Sequence, residues 1–336
     1  MGVFLLISTS ASTNASAQEQ TPHPLEMTGW LVDWDGGQSM VSFEANVKLI
    51  ARVCPGWYHC GTDGLPEYAS RSTQELRKKV VAIAHQNGCK VFALTANFGV
   101  DDFDPARVSK FLNHPDLMAQ HAKALAQMAK ADGADGVDLD YESLWGKDRE
   151  AFSQFVEMMA TECHQRGLLL AIAVHPKQKE PGDWDGEIAQ DWARIGAAVD
   201  FFRPMCYDQN NSIAPHGPIA SPDWIQKTME LAVKLVPASK IEIGIPVYGY
   251  DRKDKKSIPY TWSEFEKVEK LHGPAHRDPA TQELTFQYDG REVWFVDTQA
   301  LQVQYKIAKK MGLRGLAVWR LGAEDPHFWT AFQKNR

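Results

Sequence analysis

The chain alternates short apolar runs with amphipathic helical segments eight times, and this alternation constrains its fold more than any other feature. Residues 168–174, for example, form a continuous apolar run, which is typical of a strand buried on both faces of a parallel sheet. Eight such strands separated by helices predict an α/β fold, the (β/α)8 or TIM barrel. The predicted strands are residues 27–34, 53–58, 90–95, 135–142, 168–174, 199–207, 241–245 and 315–319.

The stretch between the seventh predicted strand and its helix is too long for an ordinary loop. It contains a helical pattern and two alternating runs joined by an Asp-Gly pair, which is a strong hairpin signal. We therefore expect a small α+β insertion at residues 251–297, within a catalytic barrel domain that spans residues 25–336. The supporting segments are the helix at 262–271 and the runs at 284–288 and 292–296.

The fourth predicted strand, residues 135–142 (DGVDLDYE), alternates apolar and acidic residues. Successive side chains of a strand point to opposite faces, so Asp138, Asp140 and Glu142 share one face at intervals of roughly 7 Å. Carboxylates that are close together and partly buried favour shared protons. The row is typical of a solvated edge strand, of a Ca²⁺ or Mg²⁺ site, or of acid catalysis.

The residues at the predicted strand ends favour acid catalysis, because the active site of a parallel barrel lies at the carboxyl ends of its strands. Metal-dependent hydrolases on this fold need several histidine ligands there, but only His59 and His175 lie near strand ends. We therefore expect no metal and no cofactor. The strand-end residues are Asp33, Trp34, Trp57, Tyr58, Asn97, Glu142, His175, Tyr207, Asp208, Tyr248 and Trp319.

Composition and the N-terminus bear on partners and location. The net charge of −7 argues against nucleic acid or an anionic membrane as a partner. Eleven tryptophans are a high number, and exposed aromatic rings suit the C–H faces of sugars. An apolar run at 3–7 and an Ala-Ser-Ala cleavage motif at 15–17 predict a signal peptide over residues 1–17. We expect a secreted, periplasmic or cell-wall-associated protein without a membrane span.

Three local patterns give narrower predictions. Ser72 and Glu75 have the spacing of a capping box at the start of a helix. We expect His121 to be a partly exposed helix residue and not a ligand. The five cysteines lack metal-type spacing, and the sequence leaves open whether Cys54 and Cys60 pair.

Residues 135–142 resemble, in every specified position, the Asp-Gly-x-Asp-x-Asp-x-Glu signature of glycoside hydrolase family 18, the chitinase-like enzymes. Residues 205–208 (MCYD) resemble the family's Met-x-Tyr-Asp on strand six, and Trp319 matches the tryptophan that ends strand eight. Residues 244–251 and 317–322 are similar to the bacterial spore-germination and cortex-lytic branch, which cleaves cell-wall N-acetylglucosaminyl bonds.

The resemblance implies substrate-assisted retaining catalysis, an exception to the usual two-carboxylate mechanism. In this mechanism the 2-acetamido oxygen of the sugar attacks its own anomeric carbon and gives an oxazolinium ion. Glu142, the last acid and the one nearest the barrel mouth, is then the candidate general acid. Asp140 is the candidate that orients the acetamide, and Asp138 is expected to hold or share a proton behind it.

The resemblance also implies groups that fix the bent sugar. Tyr207 would donate to the acetamido oxygen, Asp208 would bind a sugar hydroxyl, and Trp319 would form the floor of the pocket. Further substrate-binding candidates, from strand-end position alone, are Asn97, Tyr58 and Tyr248.

The implied substrate is a polysaccharide or oligosaccharide with β-1,4-linked N-acetylglucosamine, with chitin oligomers and peptidoglycan both open. The third strand ends without the serine-rich motif of typical chitinases. The alternative from another class is a non-hydrolytic, lectin-like barrel, and an enzyme that releases N-linked glycans is a further alternative. We expect a monomer.

Overall fold

The computed structural model describes residues 24–210, 216–254 and 256–336, so the predicted signal peptide at 1–17 lies outside the described residues. The described strands are β1 (Glu26–Leu31), β2 (Arg52–Cys60), β3 (Pro66–Tyr68), β4 (Lys90–Ala96), β5 (Gly136–Asp140), β6 (Leu169–Val174), β7 (Phe201–Pro204), β8 (Glu242–Pro246), β9 (Gly249–Lys253), β10 (Lys256–Tyr260), β11 (His276–Arg277), β12 (Leu284–Tyr288), β13 (Arg291–Phe295) and β14 (Gly315–Trp319).

Most of the helices connect successive strands of the barrel, whereas α9 lies in the insertion and α11 follows the last strand. They are α1 (Gln38–Asn46), α2 (Gln74–Gln86), α3 (Pro105–Leu112), α4 (Pro115–Ala131), α5 (Arg149–Gln165), α6 (Asp185–Ala189), α7 (Trp192–Ala198), α8 (Pro222–Leu235), α9 (Trp262–His272), α10 (Gln302–Lys310) and α11 (Phe328–Asn335). Short 3₁₀ turns lie at Val47–Leu49, Gly146–Asp148 and Ala238–Lys240.

Eight parallel strands form the barrel, in the order β7-β6-β5-β4-β2-β1-β14-β8. Two isolated parallel bridges, Phe202 to Ile241 and Met205 to Gly244, join β8 to β7, so the barrel is nearly closed. The predicted (β/α)8 barrel is therefore confirmed. Its strands end earlier than expected in places. The strand predicted at 199–207, for example, extends only over β7.

Strands β9 to β13 form an antiparallel sheet in the order β10-β9-β13-β12-β11, and in the chain they lie between β8 and α10. The sheet starts at Gly249, two residues before the segment that the sequence indicated as the insertion. Helix α9 packs on it and completes a separate apolar cluster. That cluster contains Phe265, Phe286, Val293 and Phe295.

The barrel interior contains charged side chains as well as apolar ones. Arg203, on β7, lies 2.7 Å from Asp138 of β5 and 2.7 Å from Glu242 of β8, and all three side chains are fully buried. Arg52 pairs with the same Glu242 carboxylate from β2. Trp30 donates its indole N–H to Asp138 Oδ2 at 2.9 Å. Because each buried charge has a partner of opposite sign, the network avoids the cost of an isolated buried charge.

The two cysteines that the sequence left open face opposite sides of β2. Cys54 belongs to the apolar cluster inside the barrel, whereas Cys60 belongs to the core between strands and helices. Both thiols are free and buried. A strand that sends two side chains to opposite faces cannot join them by a disulfide.

Two local predictions are wrong. Helix α2 is capped by Thr73, whose hydroxyl accepts the Leu76 N–H at 3.2 Å, and not by Ser72. Ser72 is instead buried, and its carbonyl accepts a hydrogen bond from Arg77. His121, expected to be partly exposed, is completely buried.

The burial of His121 follows from its two hydrogen-bond partners. Its Nε2 lies 2.7 Å from the Tyr141 hydroxyl, and its Nδ1 lies 2.9 Å from the Gly64 carbonyl oxygen. Phe111 of α3 stacks on the imidazole, with ring centroids 4.1 Å apart. Burial lowers the pKa of His121 to about 4, so this histidine is a neutral core residue.

Among the described residues, no helix is sufficiently long and apolar to cross a membrane.

Candidate active site

The acidic row of β5 lies in the barrel as the alternation predicts. Asp138 and Asp140 pair in register with Leu94 and Ala96 of β4, and Asp138 points into the charged interior network. Burial and the charge of Asp138 raise the pKa of Asp140 to about 7. Asp140 is therefore about half protonated near pH 7, and its carboxyl is a group that shares protons with its neighbours.

Glu142 follows β5 at the mouth of the barrel, and its side chain is 17% exposed. Burial raises its pKa well above the ordinary value, and the carboxylates of Asp140, Asp208 and Asp102 raise it further. A carboxyl group that has a raised pKa and is still partly exposed at the barrel mouth is suited to protonate a leaving group.

Asn97 lies beside Glu142, and its side-chain amide forms hydrogen bonds with the main chain of Glu142. Asn97 Oδ1 accepts the Glu142 N–H at 2.8 Å, and Asn97 Nδ2 donates to the Glu142 carbonyl at 2.9 Å. The same Nδ2 donates to the Asp104 carbonyl at 3.1 Å, and Asn97 is fully buried. The expectation that Asn97 binds substrate is therefore corrected, because its amide is already used to fix the loop that carries Glu142.

Tyr207 and Asp208 lie in the segment after β7, where Tyr207 is close enough to Asp140 and Glu142 to feel their charges. Burial, followed by the charges of Asp140 and Glu142, raises the pKa of Tyr207 well above its ordinary value, so its hydroxyl remains a donor. Asp208 has a positive φ of 55°, and its Oδ1 accepts the Tyr248 hydroxyl at 2.6 Å. Tyr248 is thus placed at the site, where it orients Asp208.

Trp319, at the end of β14, packs against the apolar cluster inside the barrel that contains Trp30. Its ring meets Trp30 edge-on, with centroids 6.0 Å apart, and Trp30 in turn donates to Asp138. Trp319 borders a cleft of about 460 Å³ that runs from the barrel mouth to the inserted sheet. The cleft is lined by Trp34, Asp35, Gln38, Tyr248, Tyr250, Pro259, Tyr260, Thr261, Glu264, Trp319, Arg320 and Ala323.

Tyr58 is not in the site, although it was a candidate from its strand-end position. Its hydroxyl donates to Asp132, the residue after α4, at 2.7 Å, and the side chain belongs to the core between strands and helices. The ladder between β2 and β4 shifts register between Gly56 and Tyr58. A shift by one residue turns the following side chains to the other face of the strand.

Two residues, Arg203 and His175, contact the acids of the site in ways that the sequence pattern did not predict. Arg203 interrupts an apolar strand, and a buried arginine needs a carboxylate, so this interruption was the available signal. The sequence placed His175 at the barrel mouth and weighed only a metal-ligand role for it, whereas the structure brings its Nδ1 to 3.7 Å from Glu142 Oε2. Within the described residues, no group of three or more His, Cys, Asp or Glu side chains is arranged to hold a metal ion.

The comparisons with known proteins agree with this geometry. The family model described as Glycosyl hydrolases family 18 matches residues 64–324. The uncharacterized glycosylase YvbX of Bacillus subtilis (strain 168) is 27% identical over 267 residues, which are 76% of this chain and 78% of the relative. A cortical fragment-lytic enzyme of the same organism is 27% identical, over 65% of this chain and 53% of the relative. The match thus spans only about half the length of that enzyme.

Solved structures show the same fold. The spore cortex-lytic enzyme SleL of Bacillus megaterium QM B1551 superposes with a TM-score of 0.83 at 23% identity, over 94% of this chain and 75% of that one. A chitinase from Chromobacterium violaceum has a TM-score of 0.84 at 22% identity, over 93% and 98% of the two chains. Because the family model covers well over half of the chain and includes the acidic row, the protein belongs to glycosyl hydrolase family 18 and is a glycoside hydrolase.

Proposed function

We propose that this glycoside hydrolase cleaves β-1,4-linked glycans that contain N-acetylglucosamine, by substrate-assisted retaining catalysis. The observation that carries the proposal is the row of Asp138, Asp140 and Glu142, which ends in a carboxyl with a strongly raised pKa at the mouth of the barrel. Such a group supports general-acid chemistry, whereas the neighbouring half-protonated carboxyl suits an acetamide N–H.

In the first step, the carbonyl oxygen of the 2-acetamido group attacks the anomeric carbon of its own sugar. The bond from that carbon to the leaving oxygen breaks, and Glu142 transfers its proton to this oxygen. Asp140 accepts a hydrogen bond from the acetamide nitrogen and balances the positive charge of the oxazolinium ion. Tyr207 donates its hydroxyl to the acetamido oxygen and holds it on the attacking side.

In the second step, water attacks the anomeric carbon from the side that the leaving group vacated. Glu142, now a carboxylate, takes a proton from this water, and the acetamide oxygen leaves the anomeric carbon. Two displacements at one carbon restore its configuration, so the product retains the β anomer. Asp138 remains buried between Arg203 and Trp30, next to Asp140, and shares a proton with it, so that Asp140 can be the carboxylate that the oxazolinium ion requires.

The cleft beside Trp319 supports a polymeric substrate. The indole is partly exposed and forms a flat apolar wall, and Trp34, 55% exposed, lies farther along the same cleft. Asp208, oriented by Tyr248, offers a carboxylate to a sugar hydroxyl. A volume of about 460 Å³ suits more than one sugar ring and is in the usual range for ligand sites.

Chitin oligomers and peptidoglycan are the two substrates that the relatives suggest, since their names include a chitinase and cortex-lytic enzymes. The signal peptide proposed at 1–17 would bring the enzyme outside the cytoplasm, where either polymer is found. We also propose that the barrel of residues 25–336 acts as a monomer, with the segment 251–297 as one wall of the cleft.

The test is an incubation series read by mass spectrometry. Protein without residues 1–17 is incubated with chitin oligomers and, separately, with purified peptidoglycan, and Glu142→Gln is the control. Cleavage of chitin oligomers alone assigns a chitinase-type substrate, and cleavage of peptidoglycan after N-acetylglucosamine assigns a cell-wall substrate. Binding of either glycan without cleavage would overturn the proposal in favour of a lectin-like barrel.

A further inference from the structure

His175 occupies a fixed position directly after β6, beside the loop that carries Glu142. Its main-chain N–H donates to Gln190 Oε1 at 2.7 Å. Its ring packs against the indole of Trp184, with centroids 4.7 Å apart. The imidazole therefore has little freedom to turn, and each of its two ring nitrogens faces a defined neighbour.

The neighbours of the two nitrogens determine which one carries the proton. Nε2 lies 3.1 Å from the main-chain nitrogen of Ser143, the residue after Glu142. A main-chain N–H can only donate, so Nε2 must be the unprotonated acceptor. The proton of the neutral ring then lies on Nδ1, and Nδ1 is 3.7 Å from Glu142 Oε2.

The contact with Ser143 also fixes the main chain after Glu142. Ser143 has a φ of 54°, in the left-handed region that residues other than glycine rarely adopt. Asn97 holds the amide and carbonyl groups of Glu142 itself. The catalytic loop is therefore tied on one side by Asn97 and on the other by His175.

We propose that His175 is a positioning residue for Glu142, an inference that rests on the function proposed above. The neutral imidazole presents its Nδ1–H to the carboxylate that forms when Glu142 gives its proton to the leaving group. A hydrogen bond of about 2.9 Å requires Oε2 to move by about 0.8 Å from its present 3.7 Å, which a small side-chain rotation provides.

The charges around both groups agree with this role. Burial, helped by the charge of Lys177, lowers the pKa of His175 to about 4, so the ring is a neutral donor at neutral pH. The groups that face Glu142 from the other elements are mostly acidic and disfavour its anion, so a donor from β6 opposes them. They are Asp140 from β5, Asp102 from the loop after β4, and Tyr207 and Asp208 from the segment after β7.

Two substitutions separate the two nitrogens of the ring. In His175→Asn the side-chain amide can place a donor near the position of Nδ1, but no acceptor reaches Ser143. In His175→Gln the amide oxygen can take the place of Nε2 and accept the Ser143 N–H, but the donor toward Glu142 is lost. Thermal unfolding of both variants identifies those that fold normally.

The readout is the pH profile of kcat and of kcat/KM on N-acetylglucosamine oligomers. We expect His175→Gln to lower kcat by about 10- to 100-fold, the worth of a hydrogen bond to a charged group, with KM nearly unchanged. The basic limb of the pH profile of His175→Gln should move to higher pH, because the loss of the donor raises the pKa of Glu142. His175→Asn should keep the basic limb in place.

Equal losses in the two variants, without movement of the basic limb, would overturn the proposal and leave His175 as a packing residue. A readout that is independent of hydrolysis is the ¹⁵N spectrum of histidine-labelled protein, with His175→Gln used to assign the signal. We expect the neutral tautomer with the proton on Nδ1 at about pH 7. A proton on Nε2, or an imidazolium, would contradict the inference even if no substrate were cleaved.

Discussion

Arg203 Nη1 lies 2.7 Å from Asp138 Oδ1 inside the barrel, and neither side chain is exposed to solvent. The same guanidinium contacts Glu242 through Nε at 2.7 Å. Burial tends to raise the pKa of Glu242, but Arg52 and Arg203 outweigh it and leave this pKa below the ordinary value. The first acid of the catalytic row is thus part of a buried ionic network that also joins strands β5, β7 and β8.

Replacement of Arg203 by Met is expected to destabilise the protein by about 3–5 kcal/mol, because it leaves the buried Asp138 carboxylate without a cation and Glu242 with Arg52 alone. Chemical denaturation of the wild type and the variant measures this difference. In the double variant Arg203→Met/Asp138→Asn, the uncompensated charge of Asp138 is removed, so part of the loss should be recovered. A single variant as stable as the wild type would contradict the described network.

The network illustrates what the sequence could and could not predict about the fold. Continuous apolar runs such as residues 168–174 predicted the barrel strands, because burial on both faces leaves this pattern. An arginine within such a run indicates only that a carboxylate must be near it. Which carboxylates lie near depends on strand order and register across the barrel, and neither is encoded locally.

The stability of the protein is expected to depend on pH through Asp140. Folding raises the pKa of this carboxyl from 3.8 to about 7, so the native state binds its proton more tightly than the unfolded state does. The contribution of Asp140 to stability is therefore fully present below pH 3.8 and is lost as pH rises through about 7. Asp140→Asn, which cannot ionise, should gain a few degrees in Tm relative to the wild type at about pH 8, but not at about pH 4. A Tm difference that is constant over this range would contradict the raised pKa.

The loss of the hydroxyl is expected to lower kcat at Tyr207 and to lower only the stability at Tyr58. Tyr207→Phe should reduce kcat by about 10- to 100-fold, since its hydroxyl is the proposed donor to the acetamido oxygen. Tyr58→Phe removes the hydrogen bond to Asp132 in the outer core and should cost about 1 kcal/mol of stability without an effect on kcat. Initial rates and denaturation midpoints of both variants test the assignment. A loss of kcat in Tyr58→Phe at full stability would return Tyr58 to the site.

Asn97→Ala is expected to impair stability and catalysis together. It removes the partners of the Glu142 N–H and carbonyl groups, and unpaired buried polar groups cost about 1–3 kcal/mol. The loop that carries Glu142 should then lose its fixed geometry, so kcat should fall while the affinity for a glycan product changes little. Denaturation and kinetics on the same preparation measure both effects, and unchanged kcat would show that Glu142 does not depend on this clamp.

The sequence predicted where the residues of the candidate site lie better than it predicted the direction of their side chains. Strand-end position brought Asn97, His175 and Tyr248 correctly to the mouth of the barrel, because parallel strands all end on the same side. It did not indicate the direction of each side chain. The register shift in β2 turned Tyr58 outward, and the amide of Asn97 satisfies buried main-chain groups. Both outcomes depend on contacts between distant segments.

The most direct test of the account is the rate of glycan hydrolysis by Glu142→Gln compared with its affinity for the same glycan. The substitution removes the acidic proton of the side chain but keeps its size. The rate should therefore fall by about 10²- to 10⁴-fold, whereas the Kd should stay close to that of the wild type. This result would identify Glu142 as the general acid. Retention of more than about a few per cent of the wild-type rate would contradict that role and, with it, the proposed mechanism.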